Sequence, residues 1–344
     1  MTTNHKHKAV FEAINLAYKQ FDNIAIIIHV NPDGDAVGSA LGLFHFLKKM
    51  KKNVSIIAPN DFPDFLSWMI ASNEIIRYNR QTEKAVQIIE NADLIFFLDF
   101  NDIDRVPKID QHVKQSKAVK ILIDHHPNPT DFVDIMLSEI EVSSTAELVC
   151  DLILNSNEKI LLDKTIAECL FAGILTDTIS FTVNSHRPRT FQIASELMIA
   201  GVDRDDVHDK IFNNFSEQRM RLLGHILNNR MNVMPGYKTA YLYLTKEDQK
   251  QYSFAMGDSE GFVNYPLSIK GIVFSAFFME KNDHIKISFR SKGKNKINEI
   301  AVKYFDGGGH RNAAGGESKD SLEKTIDNFV KRIPELLKSN DIHV

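Results

Sequence analysis

Cysteine is scarce: Cys150 and Cys169 are the only two in 344 residues, and no C-x-x-C spacing occurs. This excludes a disulfide framework and a thiolate zinc site, and it points to buried apolar filler in a reducing, cytoplasmic setting. Long apolar runs are missing as well. Stretches such as Ile24 to Ile28 and Leu94 to Leu98 fall far short of the roughly 20 residues that a bilayer-spanning helix needs. The polar start, Met1 to Lys8, carries no secretory signal. Nor is there a surplus of positive charge: 41 Lys plus Arg against 45 Asp plus Glu give a formal net charge of −4. A long nucleic-acid footprint needs a basic stripe matched to many phosphates, so none is expected, whereas short phosphorylated ligands stay open. No internal repeat, low-complexity tract or extended charge run is found, and the short basic cluster Lys292 to Lys296 reads as a solvated loop.

What remains is an ordinary globular composition, 43% hydrophobic and 25% charged, long enough for about two domains. Ala9 to Phe21 has a helical pattern, and Ile24 to Val30 is a continuous apolar run of the kind found in a strand buried on both faces. A turn at Asn31-Pro32-Asp33-Gly34-Asp35, a helix over Ala36 to Lys49 and a strand over Val54 to Ala58 complete a βαβ unit. Strands are expected over Ala92 to Phe100 and Ala118 to Ile123. Helical patterns cover Ser144 to Leu154 and Asp163 to Leu175, the latter capped by Asp163. Two further helices, Phe191 to Ile199 and Ser216 to Asn229, lead to a boundary at Pro235-Gly236. Beyond it, a strand over Thr239 to Leu244, a hairpin of Gly271 to Met279 with His284 to Ser291, and helices over Ile297 to Phe305 and Leu322 to Leu337 form a second block. The expected architecture is α/β: a doubly wound, mostly parallel sheet over residues 1–185, a helical linker over 186–233, and a smaller α/β domain with a mixed sheet over 234–344, with a cleft between the two domains.

Polar groups sit where the apolar runs stop. His29, Asp33 and Asp35 leave one strand and open one helix within seven positions, although Pro-Asp-Gly is also strong turn chemistry and Asp35 could simply cap the helix. Asp99 and the Asp124-His125-His126 cluster each end a strand, and in an open α/β sheet ligands bind outside the carboxyl ends of the strands. Asp177, after an apolar helix, could reach the same rim. Five aspartates and three histidines at one edge are electrostatically untenable unless cations neutralise them or most carboxylates take up protons. Carboxylate with imidazole suits Mn²⁺ better than an all-oxygen Mg²⁺ site. An aspartate between two ions would bridge them, the arrangement that hydrolyses phosphoesters. Ser143-Ser144-Thr145 near Glu147 either lines this site or caps a helix.

These motifs resemble those of DHH-family phosphoesterases: the His-x-x-Pro-Asp-Gly-Asp loop, the strand-ending Asp99, Asp124-His125-His126 and Ile174-Leu175-Thr176-Asp177, in order and spacing. Ser288 to Ser291 and Gly307-Gly308-Gly309-His310 resemble the DHHA1 domain that accompanies one subfamily. Among relatives the chain looks most like short bacterial oligoribonucleases that degrade nanoRNA and dephosphorylate 3′-phosphoadenosine 5′-phosphate. The resemblance implies that His29, Asp33 and Asp99 hold one Mn²⁺ and that Asp35, Asp99, His125 and Asp177 hold the other, with Mg²⁺ or Co²⁺ as substitutes. It implies that Asp124 orients a ligand histidine, that His126 faces the scissile phosphate, and that Arg105, Arg290, Gly307, Gly308, Gly309 and His310 contact substrate. Short RNA or a mono- or dinucleotide is then the expected partner, with no membrane, and a homodimer is left open. A soluble cyclic di-AMP or pApA phosphodiesterase is the nearest rival, ahead of a RecJ-type single-strand exonuclease and a catalytically silent nucleotide sensor.

Overall fold

A computed structural model of the chain describes residues 7–340. The polar start through residue 6, read above as lacking a secretory signal, lies outside them, as do the last four residues. Two compact units divide between Asn214 and Phe215.

The first unit runs α1 (Lys8–Gln20), β1 (Asn23–Ile28), α2 (Gly34–Lys49), β2 (Asn53–Ala58), β3 (Ile76–Arg77), α3 (Thr82–Asn91), β4 (Leu94–Leu98), α4 (Asp110–Gln115), β5 (Val119–Asp124), β6 (Ile135–Ser138), α5 (Thr145–Leu154), α6 (Lys164–Asp177), α7 (Pro188–Ile199) and α8 (Arg204–Phe212). Its strands form one sheet in the order β3-β2-β1-β4-β5-β6, every pairing parallel. Alternate residues of the apolar strands feed two cores, as a sheet covered on both faces requires. Ile24, Ile26 and Ile28 pack with α2, α5 and α6, whereas Ala25 and Ile27 pack with Ala85 and Ile89 of α3 and Val113 of α4. The sequence order reverses between β1 and β4, so the loops leaving them turn to opposite faces and open a crevice at their carboxyl ends.

Two helices of the first unit are joined at backbone distance. Gly34, Gly38 and Gly42 stand one above another along α2 and face α6. A Cβ at Gly38 would lie 2.5 Å from the Cys169 carbonyl oxygen and 2.8 Å from the Gly173 nitrogen. Real side chains never approach that closely, so α6 can lie where it does only because α2 presents glycine there.

The second unit runs α9 (Glu217–His225), β7 (Met231–Met234), β8 (Thr239–Leu244), α10 (Lys246–Gln251), β9 (Phe274–Glu280), β10 (Ile285–Ser291), α11 (Asn298–Tyr304), β11 (Gly308–His310), β12 (Ala313–Ser318) and α12 (Leu322–Ser339). Its sheet, in the order β11-β12-β10-β9-β8-β7, is mixed: β8 pairs with β9 in parallel and the other pairings are antiparallel. Phe274, Ala276, Phe278, Ile287 and Phe289 face a core with Phe329 and Ile333 of α12. Phe277 and Met279 point the other way, toward Leu222, Leu223 and Phe262.

The expected fold class is therefore observed: an all-parallel, doubly wound sheet and a second α/β unit with a mixed sheet. The helical segment over 186–233 is not a linker. Ile193, Leu197, Val207 and Ile211 of α7 and α8 join the first unit's core, while Leu222 and Leu223 of α9 join the second's. A helix with an apolar stripe buries it on a nearby sheet rather than spanning water.

Candidate metal centre

Strand register delivers the first donors. Ile28 pairs with Leu98, and Leu98 with Ile123, so the next residues in each strand direction, His29, Asp99 and Asp124, form one row across the switch point. Asp99 has φ +67°, a left-handed backbone that costs a non-glycine residue of order 1–3 kcal/mol. Its N–H still donates to the Ile123 carbonyl at 3.2 Å. The loop leaving β1 is tied to the loop leaving β4 by the Val30 N–H, which donates to the Arg105 carbonyl at 2.8 Å. Arg105 thus reaches the rim through its backbone, with an exposed side chain.

The other donors come from helix ends. Asp33, not Asp35, caps α2: its Oδ1 accepts from the N–H groups of Asp35 and Ala36 at 3.1 Å each. Asp35 is left in the first turn, fully buried. Asp177 is the last residue of α6, brought up by the glycine contact with α2. Behind it Ile179, Ser180 and Phe181 all have positive φ, a left-handed turn that no glycine announces.

Two donor groups result, the ligand-capable atoms within each lying within 4.8 Å of one another: His29, Asp33 and Asp99, and Asp35, His125 and Asp177. His29 Nε2 lies 3.4 Å from Asp99 Oδ2 and 3.9 Å from Asp33 Oδ1. His125 Nε2 lies 3.3 Å from Asp177 Oδ2, 3.6 Å from Asp99 Oδ1 and 3.8 Å from Asp35 Oδ2. Asp99 thus faces both groups, one oxygen toward each. The His29 Nδ1–H donates to the Val30 carbonyl at 2.9 Å. This turns Nε2 to the carboxylate side, where it is the nitrogen left to ligate a metal that displaces its proton.

Asp124 Oδ1 accepts from His126 Nδ1 at 2.8 Å, so the histidine it orients through this bond is His126. Adjacent strand residues alternate sides, and of the two histidines following Asp124 it is His126 whose ring folds back onto it. Asp99, Asp124 and His126 form a third close group.

The electrostatics call for a cation. Among the described residues the ion-pair partners of Asp35 and Asp99 are histidines. Burial first, then the charges of Asp99, Asp177 and Asp33, pushes Asp35 well above the usual carboxylate range. Burial pushes Asp99 up too. For His29, burial acts downward, but hydrogen bonds and charge from Asp33 and Asp99 prevail and push it up to about 10. Each of these groups holds its proton more tightly folded than unfolded. The stabilisation from His29 is complete below 6.5 and is lost as pH rises through about 10, and that from the two carboxylates is lost above 3.8. The unfolding temperature of chelator-treated protein is therefore expected to fall by several degrees between about pH 6 and pH 9. A saturating divalent cation should abolish the fall, because cation binding displaces the same protons. Differential scanning fluorimetry checks this, and a flat profile without cation would refute it.

The second unit gathers its candidates in one row. Arg290 pairs with Ser275 on one side and Ala313 on the other, and Ala313 pairs with His310. Directly opposed residues share a face, so Ser275, Arg290 and His310 lie together on the face away from α11 and α12. Ser275, fully buried with no hydrogen-bond partner for its hydroxyl, was missed: within an unbroken apolar strand nothing marks it. The glycines have a different reason than expected. A Cβ at Gly307 would lie 2.0 Å from the Gly315 carbonyl oxygen, and Gly309, at φ +133°, would meet the Ala313 oxygen at 2.6 Å. Both are glycine because β11 packs so closely on β12; only Gly308 is open to an approaching group.

The model of the DHH family, N-terminal domain, matches residues 23–174, and that of the DHHA1 domain matches residues 236–339. A protein of Mycoplasma genitalium named bifunctional oligoribonuclease and PAP phosphatase is 32% identical, covering 95% of this chain and 99% of its own length. One of the same name from Thermus thermophilus is 31% identical over 91% of this chain and 90% of its own. Among solved structures, an exopolyphosphatase-related protein from Bacteroides fragilis superposes with a TM-score of 0.91 at 45% identity, covering 96% of this chain and 98% of its own.

Proposed function

Because this chain belongs to the DHH family and is a hydrolase of phosphoesters with a DHHA1 domain, we propose that it cleaves short oligoribonucleotides and 3′-phosphoadenosine 5′-phosphate with two divalent cations, Mn²⁺ by preference. One observation carries the reading: two carboxylate–imidazole groups stand at the switch point, and Asp99 of the first also turns an oxygen to His125 of the second. Mixed oxygen and nitrogen donors without thiolate suit Mn²⁺. His29, Asp33 and Asp99 would hold one ion, and Asp35, Asp99, His125 and Asp177 the other. Bound there, the pair would supply Lewis-acid polarisation of the phosphoester and a water of lowered pKa.

The chain's own groups do the rest. Asp124 engages His126 Nδ1, so proton exchange with substrate passes through Nε2. Against the downward pull of burial, the hydrogen bond and charge of Asp124 raise the His126 pKa, which favours the imidazolium, the form that protonates a leaving oxygen. Residues 1–185 hold this chemistry. The DHHA1 part grips the substrate's terminal phosphate or base through Arg290, His310 and the open backbone at Gly308, with Arg105 adding a further contact. A grip on so few phosphates fits the acidic composition. No described helix is long and apolar enough to cross a membrane.

Arg290→Ala removes a charge-assisted contact worth roughly 1.5–3 kcal/mol. It is expected to lower kcat/KM about 10- to 100-fold, chiefly through KM, with Mn²⁺ uptake unchanged; uptake falling in step would place Arg290 elsewhere. The deciding experiment measures phosphate and nucleotide release with Mn²⁺ from five substrates: 3′-phosphoadenosine 5′-phosphate, a 5′-phosphorylated dinucleotide, a 5-mer RNA, cyclic di-AMP and long single-stranded DNA. Preference for the first three supports the reading. Preference for cyclic di-AMP moves the enzyme to signal turnover, and Mn²⁺ binding without cleavage makes it a sensor.

A further inference from the structure

Asp35 and Asp99 belong to different donor groups and stand on different elements, yet one residue holds both. The Thr145 N–H donates to Asp35 Oδ2 at 2.6 Å, and the Thr145 hydroxyl donates to Asp99 Oδ1 at 2.9 Å. The Ala146 N–H takes the remaining Asp35 oxygen at 2.9 Å. These are the first N–H groups of α5, which have no acceptor within their own helix. Their approach depends on Gly173 of α6, where a Cβ would lie 2.6 Å from the Ala146 Cβ and 2.9 Å from Asp35 Oδ1.

The start of α5 is itself fastened. Ser144 caps it by accepting from the Glu147 N–H at 3.1 Å. Glu147 Oε2 accepts from the Ser143 N–H at 3.1 Å, the Ser143 hydroxyl at 2.6 Å and the Thr190 hydroxyl of α7 at 2.8 Å. All of Ser143, Ser144, Thr145, Glu147 and Thr190 are buried. The serine–threonine run therefore both caps the helix and lines the site. Three bonds on one buried carboxylate oxygen exceed what capping alone needs.

Resting on the metal-centre reading above, we propose that Thr145 is the positioning residue of this centre: its hydroxyl sets the rotation of the Asp99 carboxylate, and the α5 start locked by Glu147 sets its place relative to Asp35. The last torsion of aspartate is broad and roughly two-fold, so packing alone fixes it weakly. With Oδ1 held by Thr145, Oδ2 is turned to His29 at 3.4 Å while Oδ1 stays 3.6 Å from His125. Thr145 thereby acts on both donor groups while belonging to neither.

The test is calorimetric titration of Mn²⁺ into chelator-stripped full-length protein, with kcat and KM measured on bis(p-nitrophenyl) phosphate, a generic phosphodiester. Partners that orient metal ligands are typically worth 10- to 100-fold in metal affinity or activity. Thr145→Val keeps shape and both backbone bonds to Asp35, and it is expected to lose about that much Mn²⁺ affinity, with kcat falling and KM within about twofold. Thr145→Ser restores the hydroxyl and should restore both. If Thr145→Val does not fold, Thr145→Ala takes its place in the comparison with Thr145→Ser. Uptake by the hydroxyl-free variant within twofold of wild type overturns the proposal, as does an equal loss in Thr145→Ser. Wild-type protein that takes up no Mn²⁺ overturns it together with the metal reading. Wild-type uptake without hydrolysis, weakened by Thr145→Val and restored by Thr145→Ser, supports the positioning role and refutes only the proposed activity.

Discussion

Asp99→Asn is expected to abolish turnover on every phosphoester substrate, by about 10³-fold or more, and yet to raise the unfolding temperature of the chelator-treated protein at about pH 8. The loss follows from geometry: Asp99 is the carboxylate facing both donor groups. Each 1.36 kcal/mol of lost transition-state stabilisation is tenfold, and the charge neutralisation supplied by a metal pair amounts to several kcal/mol. The gain follows from electrostatics. Asp99 is buried, next to Asp35 and Asp33, and burial raises its pKa, so without a cation its charge opposes folding. Asparagine removes that charge, still accepts the Thr145 hydroxyl, and tolerates the left-handed backbone at φ +67°. Asp99→Ala should be equally inactive but less stable, because alanine keeps the strain without a polar compensation, and Asp99→Gly should recover about 1 kcal/mol over alanine. Activity assays with melting curves check all three. Near-normal turnover by Asp99→Asn would mean that the donor groups are not the catalytic centre.

His126→Ala is expected to lower kcat by about 10²- to 10⁴-fold, the usual worth of a positioned general acid, while Mn²⁺ uptake stays within about twofold of wild type. The separation rests on what His126 touches. Its Nδ1 is engaged by Asp124 at 2.8 Å, whereas the two principal donor groups are complete without it. In the wild type, kcat should decline on the alkaline side as the raised imidazolium titrates, and the variant should lack that limb. Calorimetry and a pH–rate profile decide the matter. If Mn²⁺ affinity fell in proportion to kcat, the third group of Asp99, Asp124 and His126 would be holding a metal, and His126 would be a ligand.

The parts of this protein legible in its sequence are those in which one residue type has one physical reason. Short apolar runs closely bounded by turns leave too little length for a buried helix and read as strands buried on both faces, so β1, β4 and β5 and the polar residues ending them could be read directly. Their convergence follows from parallel pairing without slippage. Short strands were not legible: β3 has two residues, and β6 is held by pairing with β5 rather than by its own composition. Residues with two plausible reasons were assigned the wrong one or left undecided. Asp33 caps the helix where Asp35 was the candidate, and Gly307 and Gly309 have a reason in the close approach of β12 that their run of three glycines does not announce. Thr145 looks like any helix start until the fold brings Asp35 and Asp99 against it. The left-handed turn over Ile179 to Phe181 carries no signal at all, because strain imposed by surrounding packing leaves no mark on local composition.

The glycine contact between α2 and α6 bears on how this centre can drift over evolutionary time. Asp35 and Asp177 ride on two helices whose separation is gauged by main chain touching main chain at Gly38, not by the lengths of interleaved side chains. Exchanging one aliphatic residue for another in the surrounding core changes cohesion but leaves that gauge untouched. Melting temperature can then wander widely among descendants of this chain while the span from Asp35 to Asp177, within the one donor group they share, is inherited unchanged. The converse holds where main chain meets main chain: a single methyl at Gly38, 2.5 Å from the Cys169 carbonyl oxygen, alters the gauge itself, whereas at Gly34 and Gly42 it would meet the side chains of Thr176 and Leu170.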